Sequence, residues 1–121
     1  MGGGESVLIS PGEIYWIDLP SGTRPGIVVS REDLNRGNYI VVVLCTSAQL
    51  AKRANLPHCV SFSAGEFGLP KDCVAQCETI CFVEVGSIDV AQGPMGTLDE
   101  ARLRSIVKAI GHVIEADCDL E

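Results

Sequence analysis

No apolar run in the chain approaches the roughly 18 residues that a membrane-spanning helix needs. The longest, YIVVVLC at 39–45, has the length of a strand. Aromatic residues are scarce, at 5% of 121 positions, so a core must be assembled from Val, Ile, Leu and Ala. The opening MGGGES lacks the basic and apolar regions of a secretory signal, and the expectation is a cytoplasmic protein with no membrane partner. No phosphate-binding loop, GxSxG elbow, HExxH helix or dinucleotide fingerprint occurs, so the usual nucleotide-, acyl- and zinc-protease chemistries have no foothold. The six cysteines, Cys45, Cys59, Cys73, Cys77, Cys81 and Cys118, contain no C-x-x-C pair, and only His58 and His112 stand ready to complete a zinc site. The expectation is free thiols acting as small hydrophobes, with no metal and no cofactor.

What is present is enough for one domain. Hydrophobic residues make up 46%, which excludes general disorder, and a chain of this size buries roughly two-thirds of its unfolded surface. The formal charge of −7 argues on its face against a nucleic-acid binder. The charge is uneven, however. Residues 21–71 hold six bases against three acids, net +3, which leaves −10 for the remainder. An acidic body with a basic middle can turn one positive face toward an anion.

Strands dominate the pattern. GEIYWIDL (12–19) alternates, with Ile14, Trp16 and Asp18 on one face and Tyr15, Ile17 and Leu19 on the other. Pro20-Ser21-Gly22 reads as a turn. GIVVS (26–30) and NYIVVVLCTS (38–47) are nearly continuous in apolar character, which implies burial on both faces or a closed barrel. HCVSF (58–62) is a fourth strand, and CVAQCETICFVE (73–84) is one long strand or two broken near Glu78-Thr79. The spacing of four sets Cys73, Cys77 and Cys81 on one side of either a strand or a helix. Thr97-Leu98-Asp99-Glu100 reads as a capping box, Thr97 accepting from the first turn and Glu100 reaching back. Leu103, Ile106, Val107, Ile110 and Ile114 follow at helical spacing and predict a helix over 98–115 with one apolar face. The expected architecture is mainly β: a small barrel at 11–116 with a C-terminal helix, flanked by a tail at 1–10, disordered or vector-derived, and an acidic tail at 117–121.

Polar residues gather at the predicted strand ends: Arg24, Thr46, Ser47, His58, Gln76 and Glu78. Singly, each has an ordinary reading as a turn, strand-end or surface residue. Their surroundings say more. GEIYWIDLP, RPGIVVSRE, VVVLCTSA, GLPKDCVAQCETI and GTLDEARLRSIVKAIGHVI follow one another in the order and spacing of the MazF/PemK (Kid-like) toxin family, which the chain resembles from Pro11 to Ile114. The resemblance implies an SH3-like β-barrel of the CcdB/PemK type, usually a homodimer, that cleaves single-stranded RNA, chiefly mRNA, without a metal and is inhibited by a cognate antitoxin chain.

Carried over residue by residue, the resemblance makes Arg24 the contact to the scissile phosphate, as acid or charge stabiliser. It makes Thr46 the holder of the phosphate or the attacking 2′-OH, and Glu78 the general base. Ser47, Lys52, Arg53, His58, Lys71 and Gln76 are the candidate RNA contacts. The chain departs from the family pattern in its short link between the first two strands, Pro20 to Thr23, and in Cys73, Thr79, Cys81 and Phe82. Gln76 stands where some members carry a catalytic arginine. These departures motivate an alternative reading, a catalytically weak or inactive binding module held by its antitoxin. A second alternative, a CcdB-like toxin directed at gyrase, ranks below it because the tail EADCDLE has no aromatic residue.

Overall fold

The computed structural model describes residues 8–114. Positions 1–7 of the expected N-terminal tail, the acidic tail and Cys118 lie outside the described residues. Six strands follow in the order β1 (Glu13–Leu19), β2 (Gly22–Val28), β3 (Tyr39–Thr46), β4 (Cys59–Phe62), β5 (Cys73–Glu84) and β6 (Gly96–Thr97). A short helix α1 (Leu50–Arg53) precedes β4, and the main helix α2 (Glu100–Ile114) is the last of the described elements. The strands form one antiparallel sheet in the order β4-β5-β3-β2-β1-β6. It curls into the half-barrel that the alternating, β-branched segments anticipate.

The continuous apolar character of β3 comes from burial on both faces. Val43 and Cys45 join Ile14, Ile27, Ala75 and Cys77 in a core closed by Ile106 and Ala109 of α2. Ile40, Val42 and Leu44 join Tyr15, Ile17, Val28 and Val83 in a second core on the opposite face. Ile9, assigned to the tail by sequence, belongs to this second core and is 1% exposed. Gly26 leaves room for the side chains of the strands on either side of it; a Cβ there would lie 2.6 Å from Cγ1 of Ile17.

A buried polar knot pins the N-terminal segment. Asn35 donates through Nδ2 to the carbonyls of Ile9 (2.8 Å) and Ser30 (2.9 Å), while the Ser30 hydroxyl donates to Oδ1 of Asn35. Val41 N–H completes the knot by donating to Ser30 Oγ at 3.0 Å. On the far side, Arg102 of α2 stacks 4.7 Å above the Phe62 ring and pairs with Glu66 at 3.1 Å, which fastens the helix to β4.

Four local expectations are corrected. Strand β2 starts at Gly22 and ends at Val28 instead of spanning 26–30. Helix α2 starts at Glu100, and its cap is Asp99, whose Oδ1 accepts from Arg102 N–H at 2.8 Å. Thr97 is drawn instead into β6, where it pairs with Glu13, so the Thr97/Glu100 capping box does not form. Val107 and Ile114, assigned to the packed face of the helix, are exposed, while Ala109 is buried in their stead. Finally, β5 carries a bulge. Ile80 pairs with Val43 but Gln76 already pairs with Leu44, so Cys77, Glu78 and Thr79 are unmatched on β3. The bulge reverses the alternation, sending Cys73 and Cys77 to the α2 core and Cys81 to the other one.

Candidate functional site

The site begins with a missing amide. In an antiparallel ladder every second residue exchanges hydrogen bonds with its partner. Val29 N–H donates to Val41 O at 2.9 Å, so the alternation along β2 assigns residue 25 the task of donating to Cys45 O. Residue 25 is proline and has no N–H. The β2–β3 ladder accordingly ends at Gly26–Leu44, and a cavity of roughly 270 Å³ opens just past that point. The orphaned carbonyl of Cys45 is taken by Arg24, whose Nε donates to it at 3.0 Å. Nη2 of Arg24 donates to Oε1 of Gln76 at 2.7 Å. Two of the five guanidinium N–H groups are thus committed, which fixes the plane of the head and leaves three for a ligand.

Arg24, Thr46, Ser47 and Lys71 all line this cavity, together with Trp16 and Cys73. Thr46 holds its own turn: Ala48 N–H donates to Thr46 Oγ1 at 3.2 Å, and the hydroxyl proton remains free to donate. Lys71 is carried on the loop between the 3-10 turn Glu66–Gly68 and β5, anchored by the buried Leu69.

The remaining candidates connect through side chains. Gln76 Nε2 donates to Glu78 Oε2 at 3.4 Å, and the other carboxylate oxygen lies 3.6 Å from His58 Nε2. A line of contacts therefore runs Arg24–Gln76–Glu78–His58 across β2, β5 and the start of β4. The bulge turns Glu78 outward beside buried Gln76. Lys52 and Arg53 stand apart on α1; Lys52 is exposed and lines no part of the cavity, and Arg53 donates to Ala48 O at 3.1 Å.

Thiols surround this region. The Cys45 thiol is held well above its ordinary range by its hydrogen bond to Cys73 and by burial. The same hydrogen bond lowers Cys73. Burial, with Cys59 and Glu78 nearby, pushes Cys77 up to about 12.

Two features escape the sequence reading. Trp16 forms a wall of the cavity while remaining 49% exposed, although strand alternation alone marked it as one more face residue. His58 and Cys59 also meet Glu78 from the neighbouring strand, their donor atoms within 4.8 Å of one another, a grouping that no linear spacing announces.

A curled six-stranded antiparallel sheet with one helix packed on it defines a small SH3-like barrel, and a largely apolar cavity with Arg24, Thr46, Ser47 and Lys71 on its wall opens where the β2–β3 ladder stops. The PemK-like, MazF-like toxin of type II toxin-antitoxin systems is the family whose model matches residues 10–114, and the chain belongs to that family. Solved structures agree on the fold. An endoribonuclease in complex with its cognate antitoxin, from a mycobacterial species, superposes with a TM-score of 0.71 at 21% identity, covering 87% of this chain and 93% of that one. The Mycobacterium tuberculosis toxin MazF-mt6 gives 0.69 at 20% identity, covering 84% and 94%. A MazE-MazF structure from Deinococcus radiodurans gives 0.69 at 15% identity, covering 91% and 98%. Comparison with curated proteins finds no match. No helix among the described residues is long and apolar enough to cross a membrane.

Proposed function

We propose that the chain is a toxin-type endoribonuclease that cleaves single-stranded RNA by attack of a ribose 2′-OH on the adjacent phosphate. The observation that carries this reading is the fixed guanidinium of Arg24 on the wall of a cavity shared with Thr46, Ser47 and Lys71. Such a reaction forms the P–O2′ bond, breaks the P–O5′ bond and yields a 2′,3′-cyclic phosphate and a 5′-hydroxyl. It needs a base for the 2′-OH, charge stabilisation at phosphorus and a proton for the departing 5′-oxygen. No metal or protein nucleophile is required.

Glu78 is the base, an exposed carboxylate held by Gln76. In-line displacement places attacking and leaving oxygens on opposite sides of phosphorus. His58, only 3.6 Å from Glu78, stands on the base's side and so serves as an RNA contact. Arg24, linked to Glu78 through Gln76, is assigned the other side. It donates hydrogen bonds to the phosphate and to the leaving oxygen, which takes a proton from water while Glu78 gives the proton of the 2′-OH back to water. Thr46 and Ser47 hold the non-bridging oxygens, and Lys71 supplies positive charge at the rim. Lys52 and Arg53 contact RNA beyond the cavity. The cell-side partner is a cognate antitoxin and the working form a homodimer in the cytoplasm, as in the family.

The test is cleavage of a long single-stranded RNA in excess EDTA, resolved on a gel beside Arg24→Ala. Discrete bands from the parent and a loss of at least about 10²-fold in the variant, with the variant folded and melting cooperatively, support the reading. Intact RNA with folded parent protein overturns it in favour of a binding module without turnover.

A further inference from the structure

We propose that His58, Cys59 and Glu78 form a site for a thiophilic divalent cation, Zn²⁺ in particular, and that occupation of this site switches the ribonuclease centre off. The second half of this proposal rests on the nuclease reading above; the first half does not.

Three donors of different elements converge here. Nitrogen comes from His58, at the entrance to β4; sulfur comes from Cys59, the first residue of that strand; and oxygen comes from Glu78, in the bulge of β5. Zn²⁺ bonds of about 2.0–2.3 Å in a tetrahedron separate neighbouring ligand atoms by about 3.3–3.7 Å. His58 Nε2 and Glu78 Oε1 already stand 3.6 Å apart. All three donor atoms lie within 4.8 Å of one another, so the Cys59 sulfur needs to shift by no more than about 1 Å to close the set.

Access and selectivity follow from burial and chemistry. His58 and Glu78 side chains are 30% and 37% exposed, so an ion can enter, while Cys59 forms the 9%-exposed floor. A set of one thiolate, one imidazole and one carboxylate favours Zn²⁺ over the hard cations Mg²⁺ and Ca²⁺, and three protein ligands leave a fourth position for water.

The outer shell is in place as well. The ligand oxygen of Glu78 is Oε1, whereas Oε2 accepts from Gln76 Nε2. Gln76 in turn accepts from Arg24. Groups that hold a ligating carboxylate in this way orient it and strengthen the site. The same geometry gives the ion its consequence. A cation on Glu78 occupies the lone pair that must take the proton of the 2′-OH, and His58 is withdrawn from RNA at the same moment.

The test uses the full-length chain freed of metal and titrated with Co²⁺ alone. We expect saturation at equimolar cobalt, tetrahedral visible bands and a near-ultraviolet sulfur-to-cobalt transition, all displaced by Zn²⁺. Cys59→Ser loses the sulfur transition, and His58→Ala weakens cobalt binding by more than about 100-fold. In parallel, Zn²⁺ at saturation slows RNA cleavage by the parent at least about 10²-fold, while Cys59→Ser, which retains the RNA-facing residues, resists the same concentration. Absence of the sulfur transition, or its persistence in Cys59→Ser, overturns the site whether or not RNA is cut. The expected cobalt spectrum with cleavage indifferent to Zn²⁺ overturns the switch. A metal-free parent that leaves RNA intact removes the nuclease reading and the switch with it, and the cobalt spectrum still decides the site.

Discussion

Arg24 donates through Nε to the carbonyl of Cys45 at 3.0 Å, in the place a backbone amide would fill if residue 25 were not proline. One ring therefore does two things. It stops the β2–β3 ladder so that a cavity opens, and it leaves an unclaimed acceptor that orients the guanidinium.

Pro25→Ala restores the donor, and the new amide competes with Arg24 for Cys45 O. The expected result is a fall in kcat of about tenfold, equivalent to about 1.4 kcal/mol of transition-state stabilisation. KM should stay within about twofold, and the urea midpoint should be equal or higher. An unchanged kcat in a folded variant removes Pro25 from the positioning of Arg24.

Trp16 is the single tryptophan of the chain and a wall of the cavity. Intrinsic fluorescence therefore reports directly on occupancy, and single-stranded RNA is expected to quench it saturably. Stacking of a base on an aromatic ring contributes about 1–3 kcal/mol, so Trp16→Ala should weaken RNA binding by about 5- to 150-fold while Trp16→Phe retains most of it. Equal affinity in Trp16→Ala and the parent argues against stacking.

The polar knot around Asn35 predicts a stability effect far from the cavity. Asn35→Ala removes two donated bonds and one accepted bond and takes the Asn35 partner from the carbonyls of Ile9 and Ser30 and from the Ser30 hydroxyl proton, while Ser30 Oγ still accepts from Val41 N–H. A loss of about 2–3 kcal/mol is expected, measured as a lower urea midpoint at constant slope, with RNA cleavage by the remaining folded protein unchanged.

Alkaline stability follows from Cys77. Burial raises its thiol from the ordinary 9.0 to about 12 in the folded chain, so between these values the unfolded chain loses the proton and the folded chain keeps it. Folding stability contributed by this group is thus complete below pH 9 and declines toward pH 12, by up to about 1.4 kcal/mol per pH unit. Tyr15, raised by burial and by its bond to Glu13, adds to the decline above pH 10. Cys77→Ala should flatten the slope of denaturation midpoint against pH in this window; an identical slope refutes the assignment.

Local chemistry was legible wherever one physical demand acted on a segment. The β-branched run at 39–45 implies a strand buried on both faces or closed into a barrel, and it is buried on both faces. Arg24-Pro25 and Thr46-Ser47 both flank the cavity, although Arg24 and Pro25 lie inside β2 and not at its end. Legibility failed where two demands competed. Thr97 and Asp99 are both good caps, and pairing of Thr97 with Glu13 in the sheet decides for Asp99. The cavity role of Trp16 depends on where a neighbouring ladder stops, and the approach of Glu78 to His58 and Cys59 depends on strand register. Both are long-range facts that a local pattern does not carry. Lys52 and Arg53, chosen for their charge, line no part of the cavity, and charge alone does not say which way a helix points.

The three unmatched residues of β5 also set a rule for how this chain can be edited. Each residue after the bulge takes its face from its partner on β3, Ile80 from Val43 and Val83 from Ile40, whereas Cys77, Glu78 and Thr79 have no partner there. Removing all three would join Gln76–Leu44 directly to Ile80–Val43 in an unbroken ladder, with Val83 still buried and Glu84 still exposed. The proposed base is therefore carried on a segment that the β3 ladder does not require, and its length can change without exchanging the faces of the strand that follows.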